Sequence, residues 1–510
     1  MLTRRGFIAG GASAVTLLGS SRIGVAQGPV ATRRSIRTMQ NDDPDLEAYR
    51  RAVAAMKALP ITDHRNWYRF AEIHMNYCPH ANWYFLPWHR AYLVAFERLC
   101  REFSGKPDFA LPYWDWTIDR QLPAAFRGDP KTNPLAHARP GFPTNQSLPN
   151  DMVGPAVMSR ILNSPDFEAF GSSRPRGQSS YGPNWQRVEG AKTEFEFNAH
   201  DGVHSTLGGD MGTTERAARD PIFYLHHANV DRIWSEWNRR GNSNSSAVNW
   251  LNQPFHRNFR NHDGSLWHTG VGDLTSTAAL GYQYEGEGPF AAEVNSEAAG
   301  DNQLVTHLDA YRRLSGALPN SMRALSRIEL PSGGALQMAA VSNEQAASRE
   351  RPVGVTVSLG RPLSELIRPA PSAAGEPSSS AAPRVRQCIW AIIRDIDAPT
   401  DLTTRVRVFC NRDGLSPATQ LSDEHYVTSL SFFGIGHSHQ SPSNASAHSH
   451  HGHGAKRSAP VCVDLTPCLS RIRDRSQFRD DKIVVQFMPV CQNGTPGSVV
   501  RPRRVEVVVI

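Results

Sequence analysis

Hydrophobic residues in the first half of the chain recur at helical spacing. Between positions 44 and 59 they are Leu46, Tyr49, Val53, Met56 and Leu59. Such a stripe predicts an amphipathic helix. Similar patterns predict helices over 64–76, after His89, and from Asp220-Pro221 onward, where a capping acid precedes a proline suited to a first helical turn.

The pattern changes after about residue 350, where β-branched runs separated by turn signals predict strands. These runs cover 353–359, 388–393, 405–410, 482–487 and 505–510. Two low-complexity tracts interrupt them, a Pro/Ser-rich insert at 369–383 and a His-rich tract at 438–454. For the His-rich tract, copper recruitment and a weak metal-binding loop without a function are equal alternatives.

Chain length and the change of pattern together predict a multidomain α+β protein. A chain of 510 residues is too long for one core. The predicted segments are a signal peptide at 1–26, a mainly α-helical domain with a linker at 27–350, and a β-sandwich-like domain with two loop tracts at 351–510.

The N-terminal segment predicts export. Arg4 and Arg5 precede a short apolar stretch and resemble a twin-arginine signal. The stretch is too short to cross a bilayer, so we expect no membrane span in the mature form. The expected partner is the twin-arginine export machinery, and the expected location is periplasmic or extracellular.

The charge pattern argues against nucleic acid as a partner. Three of the positive charges lie in 1–26, so the formal net charge of +7 falls to +4 (7 − 3) without that segment. Positive and negative charges are interspersed in the rest of the chain, and no basic stripe with interleaved aromatic residues appears.

Seven cysteines occur, five of them after residue 380. If Cys78 has separate chemistry, the other six allow up to three disulfides in an oxidising compartment. The sequence leaves their pairing open.

A first histidine cluster comprises His74, His80 and His89. Pro79 and Pro87 interrupt any single helix through this cluster. We therefore expect His80 on a loop, between a helix that ends near His74 and a helix whose opening turn holds His89. Three imidazoles can then converge on one point.

A second cluster combines His200 and His204 with the adjacent pair His226 and His227. The i, i+4 spacing of His200 and His204 places both rings on one helix face, where they can share a metal ion. Either His226 or His227 can supply a third ligand, and spacing alone does not choose between them.

Two groups of three imidazoles, without a carboxylate or thiolate triad beside them, favour copper, with zinc as the alternative. A zinc hydrolase usually carries His-Glu-x-x-His, in which the glutamate is the base. That pattern is absent from the sequence.

Two segments resemble the copper-binding signatures of a known family. One is Phe85-Leu-Pro-Trp-His-Arg-Ala-Tyr-Leu, and the other runs from Ala217 to Trp234 and contains Asp-Pro-Ile-Phe-Tyr-Leu-His-His-Ala-Asn. They resemble the signatures of tyrosinases, plant-type polyphenol (catechol) oxidases and molluscan hemocyanins. The resemblance implies a helical catalytic domain, in which a four-helix bundle holds two copper ions as a type-3 centre, and a shielding C-terminal domain.

The resemblance also implies which residues bind the metal. The ligands would be His74, His80 and His89 for one copper, and His200, His204 and His227 for the other. Cys78 stands where family members carry a cysteine that forms a thioether with the second ligand, here His80.

Four further positions follow from the resemblance. Glu196 stands where plant-type members carry a glutamate that orients a water molecule, and Asp201 follows the first ligand of the second copper. We expect both to act in catalysis. Thr214 replaces a bulky gate residue, which predicts a wider entrance. Phe432 or Phe433 would plug the entrance and keep the full chain latent.

The implied function is oxidation of o-diphenols to o-quinones with dioxygen, while hydroxylation of monophenols is left open. The expected partners are a small phenol and dioxygen. An o-aminophenol oxidase and a hemocyanin-like oxygen carrier are the alternatives, although a single chain without repeats argues against the carrier.

Overall fold

The computed structural model describes residues 30–164, 166–174, 190–255, 257–286, 328–329, 335–348, 350–360, 362–366, 389–401, 403–434, 459–473, 481–490 and 499–509. The predicted signal peptide and both low-complexity tracts lie outside these residues. None of the described helices is long and apolar enough to cross a bilayer.

Helices dominate the described residues before position 260. They are α1 (Pro44–Ala58), α2 (Trp67–Tyr77), α3 (Phe85–Ser104), α4 (Asn150–Val153), α5 (Pro155–Leu162), α6 (Phe167–Phe170), α7 (Asp201–Leu207), α8 (Ile222–Arg239) and α9 (Val248–Leu251). The predicted helix near residue 44 is confirmed, and Asp43 caps it by accepting a hydrogen bond from the Asp45 amide.

Helix α3 begins earlier than predicted. It starts at Phe85 rather than at His89. Pro87 falls within its first turn, where no intrahelical hydrogen bond of an amide is lost, so the proline does not delay the start. His89 consequently lies in the second turn of α3.

The first two strands form a small pair, and the later strands form two larger sheets. They are β1 (Ala31–Arg33), β2 (Tyr282–Tyr284), β3 (Ile328–Glu329), β4 (Ala335–Ser342), β5 (Val353–Ser358), β6 (Ile389–Asp397), β7 (Arg405–Cys410), β8 (Tyr426–Leu430), β9 (Val461–Asp464), β10 (Lys482–Val490) and β11 (Arg501–Val509). Two short helices accompany the sheets, α10 (Leu363–Leu366) and α11 (Thr466–Ile472).

The two larger sheets are antiparallel and share one hydrophobic core. Their strand orders are β5–β10–β7–β8 and β3–β4–β11–β6–β9. Alternate residues of β5 are buried, and Val355 belongs to the same core as Ile393 of β6 and Val505 of β11. Strand β4 pairs with β11 although it precedes residue 351, so this β-rich part begins before the predicted boundary.

The helical part has its own core. Helix α3 packs against α1 and α8, and Phe96 of α3 stacks on Tyr224 of α8 with ring centroids 3.6 Å apart. Both side chains are buried, together with many other aromatic residues of this part. This packing fixes the relative positions of the two helices that carry His89 and His227.

A buried ionic network joins α8 to the strand pair β1–β2. The carboxylate of Asp231 accepts hydrogen bonds from Arg90 at 2.5 Å, Arg33 at 3.3 Å, Tyr282 at 2.7 Å and Tyr284 at 2.6 Å. The helical residue thus binds both strands of the pair.

Polar contacts join the helical part to the β-rich part. The Lys192 amide donates to the Pro460 carbonyl at 3.0 Å, and the Cys462 amide donates to the Lys192 carbonyl at 3.2 Å. Asp151 of α4 and Arg405 of β7 form a buried ion pair at 2.8 Å. The two parts are therefore connected by main-chain and by ionic contacts.

No disulfide joins any two of the described cysteines. Cys78, Cys100, Cys410 and Cys468 are buried thiols. Cys388 and Cys491 lie outside the described residues. The predicted disulfides are therefore not found in the part of the chain that the structure describes.

Candidate metal centre

Three elements bring His74, His80 and His89 together. His74 lies in the last turn of α2, His80 on the loop that follows, and His89 in α3. Their ring centroids are 5.5–5.8 Å apart. The predicted loop position of His80 is confirmed, and it allows the three rings to face one point.

Main-chain carbonyls fix three of the imidazole rings. The pairs, each with its Nδ1 atom 2.8–2.9 Å from the carbonyl oxygen, are His74 with Thr214, His89 with Phe85, and His204 with Met211. A carbonyl oxygen only accepts, so each Nδ1 carries the proton and each Nε2 keeps its lone pair. This arrangement suits a ring that binds a metal through Nε2.

The second cluster spans a junction between two helical forms. His200 ends a π-helical turn, Phe195–His200, and His204 lies in the following α7. Their ring centroids are 4.7 Å apart. The ring centroid of His227 lies 5.0 Å from that of His200 and 5.4 Å from that of His204. The Nε2 atoms of His204 and His227 are 3.2 Å apart, so they face the same small space. Sequence spacing alone did not reveal the π turn.

His226 differs from His227 in its hydrogen bond. Trp116 Nε1 donates to His226 Nδ1 at 3.1 Å. Burial lowers the pKa of His226 to about 3, so its ring is neutral. A neutral ring that accepts at Nδ1 carries its proton on Nε2. His226 therefore offers an N–H group rather than a lone pair, which favours His227 as the ligand.

The two clusters face each other. His89 stacks on His227 with ring centroids 4.3 Å apart and planes 8° apart, and His80 lies 5.6 Å from His200. Three groups of side chains have ligand atoms close enough together to share a metal ion. They are His200 with His204, His226 and His227, then His74 with Cys78 and His80, and finally His74 with His89 and His227. His89 thus groups with a residue of the second cluster, which the sequence did not predict.

Burial keeps these imidazoles neutral. It lowers the pKa of His80, His89, His200, His204 and His227 well below 6.5, and neighbouring histidines add to the effect. The buried Nε2 atoms of His80, His89 and His200 have no hydrogen-bond partner among the described residues. Neutral, buried imidazole nitrogens of this kind fit a pair of copper ions.

Cys78 and Glu196 both contact the loop of His80. Cys78 Sγ lies 3.6 Å from His80 Nδ1. The buried Glu196 carboxylate accepts a hydrogen bond from the Ala81 amide at 2.7 Å and another from the Ser172 hydroxyl. Burial raises the pKa of Glu196. The contact holds the main chain beside His80, which the sequence did not suggest.

Asp201 links His200 to a lysine that sequence reasoning missed. Asp201 accepts a hydrogen bond from His200 Nδ1 at 2.9 Å and one from Lys192 Nζ at 2.6 Å. Burial raises the pKa of Asp201 to about 8, and the Lys192 ammonium opposes that rise. A single lysine eight residues before His200 forms no recognisable motif, so no local signal pointed to it.

Phe433 is placed at the histidines and Phe432 is not. Phe433 stacks on His204 with ring centroids 4.0 Å apart and planes 11° apart. Its edge-on contacts with His80 and His200 measure 5.5 and 5.7 Å. Phe432 instead belongs to the core of the β-rich part. The structure thus separates the two plug candidates.

Phe433 and Gly434 belong to a segment that covers the histidines, which we call the covering segment. Thr214 lies where this segment turns. The residue after Phe433, Gly434, has φ +73°, a left-handed conformation that favours glycine. A Cβ atom at Gly434 would lie 3.2 Å from Thr214 Oγ1. Thr214 is itself buried beneath this turn.

Comparison with known protein families gives one decisive match. The family model described as the common central domain of tyrosinase matches residues 64–240, which contain all six predicted ligands. Residues 64–240 thus form a domain of the type-3 copper tyrosinase and polyphenol oxidase family. The cofactor of this family member is a pair of copper ions, which the buried histidine groups fit.

Relatives of this tyrosinase-family chain come from a bacterium and from plants. The tyrosinase HcTyr1 of Hahella sp. (strain CCB-MM4) is 28% identical over 307 residues, which are 51% of this chain and 64% of that protein. This match therefore spans less than two thirds of the Hahella protein. The chloroplastic polyphenol oxidase of Malus domestica is 26% identical over 487 residues, 87% of this chain and 72% of the apple protein.

A solved structure shares the fold. Latent apple tyrosinase superimposes with a TM-score of 0.63 at 22% identity, over 95% of this chain and 98% of the apple chain. The predicted order of a helical part followed by a β-rich part is thereby confirmed for this tyrosinase-family chain.

Proposed function

We propose that the protein oxidises o-diphenols to o-quinones at a dicopper centre, with dioxygen as oxidant. The observation that carries this proposal is the convergence of six imidazoles on one buried space, in which the aromatic ring of Phe433 stacks on His204. Two diphenols lose four electrons and four protons, and one dioxygen molecule accepts them to form two water molecules.

The proposed ligands are His74, His80 and His89 for one copper, and His200, His204 and His227 for the other. The hydrogen bonds at Nδ1 support this assignment, because they leave Nε2 for the metal. Copper bound at these rings supplies the one-electron chemistry that lets dioxygen react with a phenol. Four of the rings come from α2, α3, α7 and α8, which supports a four-helix bundle around the centre.

We propose that Glu196, Asp201 and Thr214 support the reaction both by contact with the reacting molecules and by holding neighbouring groups in place. Asp201 holds the His200 ring, and Glu196 holds the main chain beside His80. Their predicted action in catalysis, in which Glu196 orients a water molecule, stays a prediction. The small Thr214 side chain supports the proposal of a wide entrance once the covering segment has moved.

A thioether between Cys78 and the His80 ring is part of the proposal. The 3.6 Å approach of Cys78 Sγ to His80 supports it. Forming the bond removes the thiol hydrogen and one ring hydrogen, and dioxygen accepts the two electrons and two protons. A peptide containing both residues would then be lighter by two hydrogen atoms, and mass spectrometry of Cys78→Ser should show the loss of that change.

We also propose that the full chain is latent. The burial of Phe433 against three histidines supports this proposal. The apple tyrosinase whose solved structure shares the fold is a latent form. The covering segment belongs to a β-sandwich-like domain that we place from Ile328 to the C-terminus, after the helical catalytic domain. Export through residues 1–26 by the twin-arginine route completes the proposal.

Copper analysis combined with oxygen-uptake assays tests the proposal. We expect two coppers per chain, and oxygen consumption with methylcatechol that rises when the β-rich part is removed by limited proteolysis. Faster turnover of o-aminophenol would instead identify an aminophenol oxidase. Reversible oxygen binding without turnover would identify an oxygen carrier. A copper-free protein that is inert toward diphenols would overturn the proposal.

A further inference from the structure

Lys192 lies between the histidine cluster and the segment that covers it. Its side chain is only 8% exposed. The ammonium donates to Asp201 at 2.6 Å and to the Phe433 carbonyl at 3.0 Å, and lies 3.9 Å from a Glu196 oxygen. One buried cation therefore contacts two carboxyl groups near the histidines and the main chain of the covering residue.

Phe433 presents two groups to this site at once. Its ring lies parallel to His204, while its own carbonyl oxygen reaches Lys192. Only the Cβ and Cα atoms separate the ring from the carbonyl group. A small molecule that replaces Phe433, with its ring on His204, would therefore place the end of a short side chain at the Lys192 ammonium.

We propose that Lys192 is a specificity-determining residue that selects catechols with a neutral carbonyl group, such as an amide or ester, two carbons from the ring. The inference rests on the proposed function, because it concerns the diphenol oxidised at the same centre. It goes beyond that function by naming the side chain of the substrate and the residue that recognises it.

Two physical reasons support a neutral acceptor. When Phe433 leaves, the buried ammonium loses one of its hydrogen-bond acceptors, and the loss of a hydrogen bond to a buried charged group costs free energy. A carbonyl group at the same place restores the bond. Asp201 and Glu196 already face this ammonium, and a further carboxylate would have to lose its hydration in the same buried space, which costs more free energy than burying a neutral amide.

Three catechols test this inference with the copper-loaded full-length chain. In dihydroxyphenylpropanamide the carbonyl group is two carbons from the ring, as it is in Phe433. Propylcatechol has a side chain of the same length without an acceptor. Dihydroxyphenylpropanoate has a charged carboxylate in place of the amide. We expect kcat/KM for the propanamide to exceed that for propylcatechol about tenfold, mainly through a lower KM. The propanoate is expected to fall below the propanamide.

Variants of Lys192 provide a second test of the inference. Lys192→Met removes the donor, so the propanamide-to-propylcatechol ratio of kcat/KM should fall to about one. Lys192→Arg keeps a charged donor and should retain most of the preference. The ratio is the readout because loss of the contact with Asp201 also alters turnover of both substrates.

The outcomes separate the inference from the proposed function. Oxidation of all three catechols with a wild-type ratio near one, or with a ratio that Lys192→Met leaves unchanged, would overturn the inference alone. The wild-type ratio decides if Lys192→Met does not fold. Absence of oxidation of any of the three by the copper-loaded chain, both before and after limited proteolysis, would overturn the proposed function, and this inference with it.

Discussion

The ring of Phe433 lies flat against the ring of His204, with 4.0 Å between centroids and 11° between planes. An aromatic substrate that stacks on His204 must compete with this contact. The competition involves a residue that lies 229 positions beyond His204 in the sequence.

Removing the Phe433 ring should activate the full-length chain. Burial of a phenylalanine side chain contributes about 1.5–3 kcal/mol, so its loss in Phe433→Ala should raise the initial rate of methylcatechol oxidation about tenfold or more. Phe432→Leu is the matched control, because Phe432 packs in the core of the β-rich part and should leave the site covered. Equal rates for wild type and Phe433→Ala would contradict the proposed plug.

His226 and His227 should differ in their effect on copper content. Glutamine at 226 keeps an acceptor for Trp116 and removes no lone pair from the site, so His226→Gln should retain two coppers per chain. His227→Gln removes a proposed ligand and should weaken binding of one copper by more than about a hundredfold. Copper stoichiometry after dialysis measures the difference. Loss of one copper from His226→Gln, with two kept in His227→Gln, would reverse the assignment.

The ion pair of Asp151 with Arg405 should hold the β-rich part in place. Arg405→Met leaves the Asp151 carboxylate buried without its main cation, which costs about 3–5 kcal/mol. We expect faster limited proteolysis and a higher basal oxidation rate. Arg503→Met is the control, because Arg503 pairs with Asp397 within the β-rich part at a partly exposed site. Similar proteolysis rates for both variants would argue against this contact as an attachment.

Asp231 should make stability depend on acid pH. Burial raises its pKa, but the charges of Arg90 and Arg33 outweigh burial and hold the pKa below its ordinary value. The stabilisation is thus complete above the unfolded pKa of about 4 and is lost as the pH falls through the lower folded pKa. Asp231→Asn should unfold about 3–5 kcal/mol more easily at neutral pH.

Urea unfolding at several pH values measures this effect. The difference between wild type and Asp231→Asn should shrink as the pH falls from about 4 through the lower folded pKa, below which the wild-type carboxylate is protonated as well. Asp108→Asn, at an exposed position, should show no comparable loss. A pH-independent difference between wild type and Asp231→Asn would contradict the linkage.

Periodicity predicted those elements whose burial pattern is local. The stripe of α1 and the alternation of β5 follow directly from one-sided burial. Strand β4 was missed because Ala-Leu-Gln-Met-Ala-Ala is rich in helix-forming residues, and its pairing with β11 overrides that preference. The short strand β8 was missed because all five of its residues are buried, so no alternation marks it.

The candidate site also has features that the sequence could predict and features that it could not. The convergence of the histidines could be predicted because their spacing places them on neighbouring turns and loops. The contact of Lys192 with Phe433 joins residues 241 positions apart, and no local pattern encodes such a pairing. The choice between Phe432 and Phe433 likewise depends on which side of the strand end faces the histidines.

The main-chain hydrogen bonds of Lys192 with Pro460 and Cys462 have a consequence for activation by proteases. A cut in the connection between the two parts leaves these bonds intact, so the severed piece stays attached. Its departure then becomes a bimolecular equilibrium, governed by dilution rather than by the cut itself. Nicked enzyme should therefore lose its latency on dilution and regain it on concentration.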